Sequence, residues 1–88
     1  MISKDVVITN TSGLHARPAT FFIHKALSYK SSIWVEKGDR KVNAKSLLGV
    51  LSLGIAQGMT VTLIAEGEDE GAAINGLIEL INSGFSEA

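Results

Sequence analysis

Residues 13–19 read Gly13-Leu14-His15-Ala16-Arg17-Pro18-Ala19, and the chain changes there from strand-like to helix-like spacing. Pro18 lies in the first turn of the predicted helix. Its missing N–H would have had no helical partner at that position, so the proline supports a helix start near residue 16. The pattern therefore places His15 at or beside the N-cap.

Apolar periodicity defines the elements on both sides of this helix start. Residues 2–9 alternate as in a half-buried strand, with Ile2, Val6 and Ile8 on one side, and residues 10–13 are turn formers. Beyond His15 the spacing is helical. Five apolar residues form the predicted buried stripe of this helix: Ala16, Ala19, Ile23, Ala26 and Leu27.

Three further strands are predicted after the first helix. Residues 32–36 and 41–44 are joined by turn formers at residues 37–40, which predicts a hairpin. Residues 60–65 alternate between apolar and polar side chains and form the fourth predicted strand.

Two further helices complete the pattern. Ser46 precedes a short apolar stretch as its N-cap, with Gly54 near the helix end. Acidic residues 68–70 open the third helix, which closes before Gly84, and residues 85–88 are expected to fray. The order β-α-β-β-α-β-α predicts an α/β (α+β) open-faced sandwich, in which a four-stranded antiparallel sheet carries three helices on one face.

The composition predicts a single globular domain over residues 1–88, with 45% hydrophobic and 19% charged residues. Cysteine is absent, which excludes disulfides and thiolate metal sites and fits a reducing cytoplasm. No apolar run is long enough to span a membrane, and the first residues lack a signal-peptide pattern. The formal net charge is −1 without a basic block, so we expect protein or small-anion partners and no nucleic acid.

The start of the first helix combines groups that suit phosphate chemistry. First-turn amides and the positive end of the helix dipole form a seat for phosphate, and they disfavour the cationic form of the His15 imidazole. A neutral ring keeps the nitrogen lone pair that attack on phosphorus requires. The Arg17 guanidinium can bind phosphoryl oxygens, and Gly13 lets the turn aim the ring outward. A lone histidine at a helix start is usually a surface residue or a cap, so the interpretation depends on the whole run.

The run from Gly13 to Ala19 resembles the phosphorylation-site motif of the HPr family, and the resemblance extends from residue 2 to about residue 82. A second stretch, Lys45-Ser46-Leu47-Leu48-Gly49-Val50-Leu51, resembles the regulatory-serine helix of HPr proteins from Gram-positive-type bacteria. Leucines stand where many such proteins carry isoleucine and methionine, which leaves the set of partners open. Leu47 and Leu48 fit an interface or the core equally well.

The resemblance implies a phosphocarrier of the phosphoenolpyruvate-dependent sugar phosphotransferase system, which is a substrate of other enzymes and not itself an enzyme. Enzyme I would place the phosphoryl group on the pros nitrogen, Nδ1, of His15. Arg17 and the backbone amides of Ala16 and Arg17 would stabilise it, and sugar-specific Enzyme IIA domains would receive it. No cofactor, metal, direct nucleic-acid contact or membrane insertion is expected, and the expected location is the cytoplasm.

The resemblance also implies regulation. An HPr kinase/phosphorylase would modify Ser46, and the modified protein would bind a catabolite-control transcription factor. The expected partner surface consists of Thr20, Leu47, Leu48 and Leu51.

Other functions remain as alternatives. A relative that serves only catabolite repression has glutamine at the position of His15, so the histidine favours the carrier role. A regulatory module that works mainly through Ser46 stays open, as does the nitrogen-related branch of the same system, which generally departs from the Lys45-Ser46-Leu47 pattern. A stand-alone hydrolase is disfavoured, because there is no nucleophile elbow or acid pair and little room for a deep pocket.

The remaining ionisable residues receive structural interpretations. His24 lies on the opposite side of the first helix from His15 at about 100° per residue, so it is expected to be solvated and to share no metal with His15. Electrostatics at a helix start explain the acidic residues 68–70. A basic run is predicted to be a solvated hairpin surface that can steer acidic partners toward Ser46. Its members are Lys37, Arg40, Lys41 and Lys45.

Overall fold

The computed structural model describes residues 1–85, and the order of its elements confirms the predicted β-α-β-β-α-β-α arrangement. The strands are β1 (Ile2–Val7), β2 (Ser32–Lys37), β3 (Arg40–Asn43) and β4 (Thr60–Glu66). The helices are α1 (Ala16–Leu27), α2 (Leu47–Ser52) and α3 (Glu70–Asn82). None of these helices is long and apolar enough to cross a bilayer.

The four strands form one antiparallel sheet in the order β1-β4-β2-β3. The central strand β4 shows why the sheet has two different faces. Val61, Leu63 and Ala65 are buried in the core under the helices, while Thr62 and Ile64 alternate with them and are only half-buried on the other face. The open-faced architecture predicted from the alternation is therefore confirmed.

The buried stripe of α1 is rotated relative to the prediction. Ala16 is exposed and Leu27 is 57% exposed, whereas Phe22, which the predicted stripe omits, is fully buried. A phenylalanine removes far more apolar surface from water than an alanine does, so turning Phe22 toward the sheet outweighs burial of Ala16. Ala19, Ile23 and Ala26 are buried as predicted.

The prediction that the chain frays after Gly84 is wrong for Phe85. Its side chain is fully buried, and its N–H donates to the Leu80 carbonyl at 2.8 Å. The backbone takes a φ of 69° there. That left-handed conformation costs about 1–2 kcal/mol, whereas burying the ring contributes about 1.5–3 kcal/mol, so the buried position wins. Residues 86–88, which the same prediction includes, lie outside the described residues.

Asp69 fastens the start of α3 to the loop after α1. Its carboxylate accepts hydrogen bonds from the Ser31 hydroxyl and from the backbone amides of Lys30 and Ser31, both amides at 2.9 Å. The Ser31 hydroxyl, followed by the Lys30 amide, lowers the pKa of Asp69 from 3.8 to about 2. Helix-start electrostatics therefore do not explain Asp69. They fit Glu70, the acidic residue in the first turn of α3, which also accepts from the Gly67 amide at 3.1 Å.

The hydrogen bonds of the Asp69 carboxylate predict that the folded protein loses stability in acid. Because the pKa of Asp69 is depressed on folding, its stabilising effect is complete above the unfolded pKa near 3.8 and is lost as the pH falls toward about 2. We expect Asp69→Asn to lower the melting temperature at pH 7 by several degrees and to flatten its decline between those two pH values. Thermal unfolding across this range checks the expectation. Glu68→Gln removes an exposed carboxylate outside this cluster and should change neither quantity.

Candidate functional site

The turn that leads into α1 is built around Gly13. This residue has a φ of 59°, and a Cβ placed on it would lie 2.5 Å from the Ile55 carbonyl oxygen and 2.8 Å from Ala56 Cα. Leu14, the next residue, is buried and donates its N–H to the same Ile55 carbonyl at 3.1 Å. Only glycine combines this conformation with so close an approach to backbone. The chain is therefore anchored immediately before His15.

His15 is the N-cap of α1, as predicted, with extended backbone angles of φ −80° and ψ −171°. Its carbonyl accepts the Ala19 amide at 2.8 Å, which starts the helix. The imidazole is exposed and makes no capping hydrogen bond. A histidine used only as a cap would bind the first-turn amides through its ring, so this side chain is free for another role.

Two backbone donors lie beside His15. Within residues 1–85, the amides of Ala16 and Arg17 donate to no carbonyl, and Pro18 has no amide to offer. The first turn of α1 also carries no acidic side chain that would compensate the positive end of the helix dipole. The Arg17 side chain is exposed and makes no hydrogen bond or ion pair with the described residues. These groups together can bind an anion next to the ring.

Ser46 is the N-cap of α2, as predicted. Its exposed hydroxyl accepts the Gly49 amide at 3.1 Å. Leu47 and Leu48 are 41% and 81% exposed, so neither belongs to the core. Val50, on the same short helix, is fully buried and attaches α2 to the core.

The residues expected to form a partner surface lie on two helices that pack against each other. Thr20 is exposed on α1, and its hydroxyl donates to the Ala16 carbonyl at 2.8 Å. Leu51 is half-buried on α2, next to the exposed Leu47 and Leu48. The two helices that carry these residues, α1 and α2, contact each other. His24 is exposed farther along α1, as predicted.

The basic run lies at the surface, with Arg40 and Lys41 exposed as predicted, and its side chains also make specific contacts. Lys37 donates to the Leu53 carbonyl at 3.0 Å, and Arg40 donates to the Ser52 carbonyl at 2.8 Å and to its hydroxyl at 3.0 Å. Cations are favoured at these positions because the carbonyls at the end of α2 carry partial negative charge. The other two basic residues also make contacts. Lys45 donates to the Tyr29 carbonyl at 2.8 Å, and the Lys41 ammonium lies over the Trp34 ring.

Comparison with known proteins identifies one family. Residues 2–83 match the model of the PTS HPr component phosphorylation site. The chain is 47% identical over 81 residues to the HPr-like protein Crh of Halalkalibacterium halodurans, covering 92% of this chain and 96% of that protein. It is 40% identical over 87 residues to the phosphocarrier protein HPr of Neisseria meningitidis, covering 99% of this chain and 98% of that protein.

A solved structure shows the same fold. The crystal structure of HPr-C-His from Thermoanaerobacter tengcongensis superposes with a TM-score of 0.96 at 51% identity, covering 100% of this chain and 99% of that one. The fold and the matches define a small phosphocarrier protein. The chain belongs to the HPr family of the phosphotransferase system.

Proposed function

We propose that this protein accepts a phosphoryl group from Enzyme I, charged by phosphoenolpyruvate, on Nδ1 of His15 and passes it to sugar-specific Enzyme IIA domains in the cytoplasm. One observation carries the proposal. The exposed His15 ring stands at the N-cap of α1 without a capping hydrogen bond, beside the unpaired amides of Ala16 and Arg17.

The geometry suits both steps of the proposed relay, acceptance of the phosphoryl group from Enzyme I and its delivery to an acceptor domain. The Nδ1 lone pair of a neutral ring forms the new N–P bond while the bond between phosphorus and Enzyme I breaks, and the electron pair of that bond leaves with Enzyme I. The transition state is loose and spreads negative charge over three oxygens. The Ala16 and Arg17 amides and the Arg17 guanidinium can stabilise that charge. Because His15 is exposed, its phosphorylated form can also present phosphorus to an acceptor domain.

The histidine itself favours a carrier over a purely regulatory protein. The chain is similar to both a Crh and an HPr. The family resemblance implies glutamine at this position in the proteins that serve only catabolite repression. His15 supplies the nucleophile that glutamine lacks.

Regulation at Ser46 forms the second part of the proposal. An HPr kinase/phosphorylase would place a phosphate on this exposed N-cap hydroxyl, adding about −1.5 to −2 charges beside amides that tolerate them. The helix would persist, while the surface at Leu47 and Leu48 would become strongly negative. Acidic partners such as Enzyme I would then bind less well, and a catabolite-control transcription factor with a basic surface would bind better.

Intact-protein mass spectrometry tests the function. After incubation with Enzyme I and phosphoenolpyruvate, we expect one added phosphate that mild acid removes, as for phosphohistidine. After incubation with HPr kinase and ATP, we expect one phosphate that survives the acid, located on Ser46. Absence of acid-labile phosphate in the first reaction would contradict the carrier role, and its absence in the second alone would remove only the regulatory part.

The N-cap role of Ser46 predicts a difference between two substitutions. Ser46→Ala should lower the free energy of unfolding by about 1 kcal/mol because the Gly49 amide loses its acceptor. Ser46→Asp should leave stability nearly unchanged, since aspartate caps equally well and suits the helix dipole. Chemical denaturation measures both. Ser32→Ala, at an exposed serine whose side chain makes no hydrogen bond with the described residues, is the matched control.

A further inference from the structure

Asn10 lies at the start of the turn that leads to His15 and has no part in the function proposed above. Its side-chain Nδ2 donates to the Gly13 carbonyl at 2.8 Å, and its own carbonyl accepts the Gly13 amide at 3.2 Å. A longer contact of 3.4 Å joins Nδ2 to the Ser12 hydroxyl. Both backbone polar groups of Gly13 are thus bonded to one residue, which closes residues 10–13 into a ring.

The side-chain oxygen of Asn10, Oδ1, shows that this position requires the N–H groups of the amide and not its oxygen. Asn10 Oδ1 is buried and accepts no hydrogen bond within residues 1–85. A buried acceptor without a donor costs free energy. Aspartate, an equally common turn former, would present only acceptors to the Gly13 carbonyl. The position therefore uses asparagine for its N–H groups, and their strongest contact is the carbonyl of Gly13.

That carbonyl belongs to the peptide group between Gly13 and Leu14, two residues before the phosphate acceptor. Leu14 is held from the opposite side by its buried side chain and by its hydrogen bond of 3.1 Å to the Ile55 carbonyl. The backbone that enters His15 is thus fixed between Asn10 and Ile55. The helical bond from the Ala19 amide to the His15 carbonyl, at 2.8 Å, fixes the backbone that leaves it. The place of the ring then depends on side-chain rotation alone.

We propose that Asn10 is a positioning residue for phosphoryl transfer, which holds the Gly13–Leu14 peptide so that the His15 ring stands ready beside the first-turn amides of α1. This inference rests on the proposed function. It differs from a role in stability alone, because loss of the contact frees the backbone before His15 without altering the exposed residues of α1 and α2 that a partner would bind.

Steady-state phosphorylation by Enzyme I and phosphoenolpyruvate tests the inference with Asn10→Ala and Asn10→Asp. Both variants remove the N–H donors: aspartate keeps the shape of the side chain but adds a negative charge, and alanine adds no charge. A loss of kcat shared by both variants is therefore due to the donors, and if the alanine variant does not fold, the ¹⁵N relaxation described below separates the loss of the donors from the added charge in the aspartate variant. We expect kcat to fall about tenfold or more, because small displacements of a reacting group are costly. KM for the carrier should remain that of the wild type. Thr11→Ala, at the exposed neighbour in the same turn, should retain both constants.

A second measurement is independent of Enzyme I. The ¹⁵N relaxation of the backbone amides at residues 13–15 should show increased fast motion in the Asn10 variants, with the strands unchanged. Wild-type kcat and wild-type relaxation in a variant whose melting temperature alone falls would overturn the inference, as would a rise in KM at constant kcat. If the wild-type protein takes no phosphate, the proposed function fails, and the relaxation data alone decide whether Asn10 orders the turn.

Discussion

His15→Ala is expected to abolish phosphate uptake from Enzyme I and phosphoenolpyruvate while leaving the fold intact. The ring carries the only side-chain nitrogen nucleophile at the start of α1 within the described residues, so nothing there can form the N–P bond in its place. The side chain is exposed and makes no capping hydrogen bond, so its removal should change the free energy of unfolding by no more than about 0.5 kcal/mol.

Phosphate incorporation and thermal unfolding, measured on the same samples, check this result. His24→Ala is the matched control, because it removes the other histidine of α1 from an exposed position and should keep full incorporation. Acid-labile phosphate retained by His15→Ala would contradict the assignment. Loss of uptake together with loss of the folded state would require repeating the test with His15→Gln, which keeps a side chain of similar size.

Gly13→Ala is expected to lower the free energy of unfolding by about 2 kcal/mol or more. The φ of 59° costs a residue with a side chain about 1–2 kcal/mol, and the added Cβ would lie 2.5 Å from the Ile55 carbonyl oxygen, a backbone atom that cannot move alone. For a domain of this size, we expect the melting temperature to fall by about 10 °C. Because the displaced turn carries His15, phosphorylation by Enzyme I should slow as well.

Gly38→Ala provides the comparison for this effect. Gly38 has a φ of 61°, almost the same conformation, but a Cβ there would have no heavy atom within 4 Å. It should therefore show only the conformational part of the cost and retain wild-type phosphorylation. Equal melting temperatures for the two variants would show that the close contact between Gly13 and residues 55–56 contributes nothing to stability.

Local signals were sufficient for the helix starts. Pro18 and the turn formers before it placed His15 at the N-cap of α1, and Ser46 before an apolar run placed the N-cap of α2; both placements are confirmed. A cap depends on hydrogen bonds to residues three or four positions away, so its pattern is contained in a short stretch of sequence. The same holds for the alternation of β4, whose buried and half-buried residues follow the predicted order.

Features that depend on distant partners could not be predicted in this way. The Asp69 carboxylate binds amides 38 and 39 residues earlier in the chain, so an acidic residue at a helix start was assigned to that helix alone. Nothing near Phe85 in the sequence indicates the buried space that its side chain fills, so the sequence predicts fraying there. The sequence indicates only that Asn10 is a turn former, since the direction of its amide toward Gly13 depends on how the turn closes.

The most direct test of the account is an NMR spectrum of the protein with ¹⁵N-labelled histidine, recorded before and after phosphorylation by Enzyme I and phosphoenolpyruvate. We predict that Nδ1 of His15 gains a coupling to phosphorus, while both ring nitrogens of His24 keep their original shifts. Phosphorus coupled to His24, or a His15 ring left unchanged while phosphate is incorporated elsewhere, would contradict the central claim.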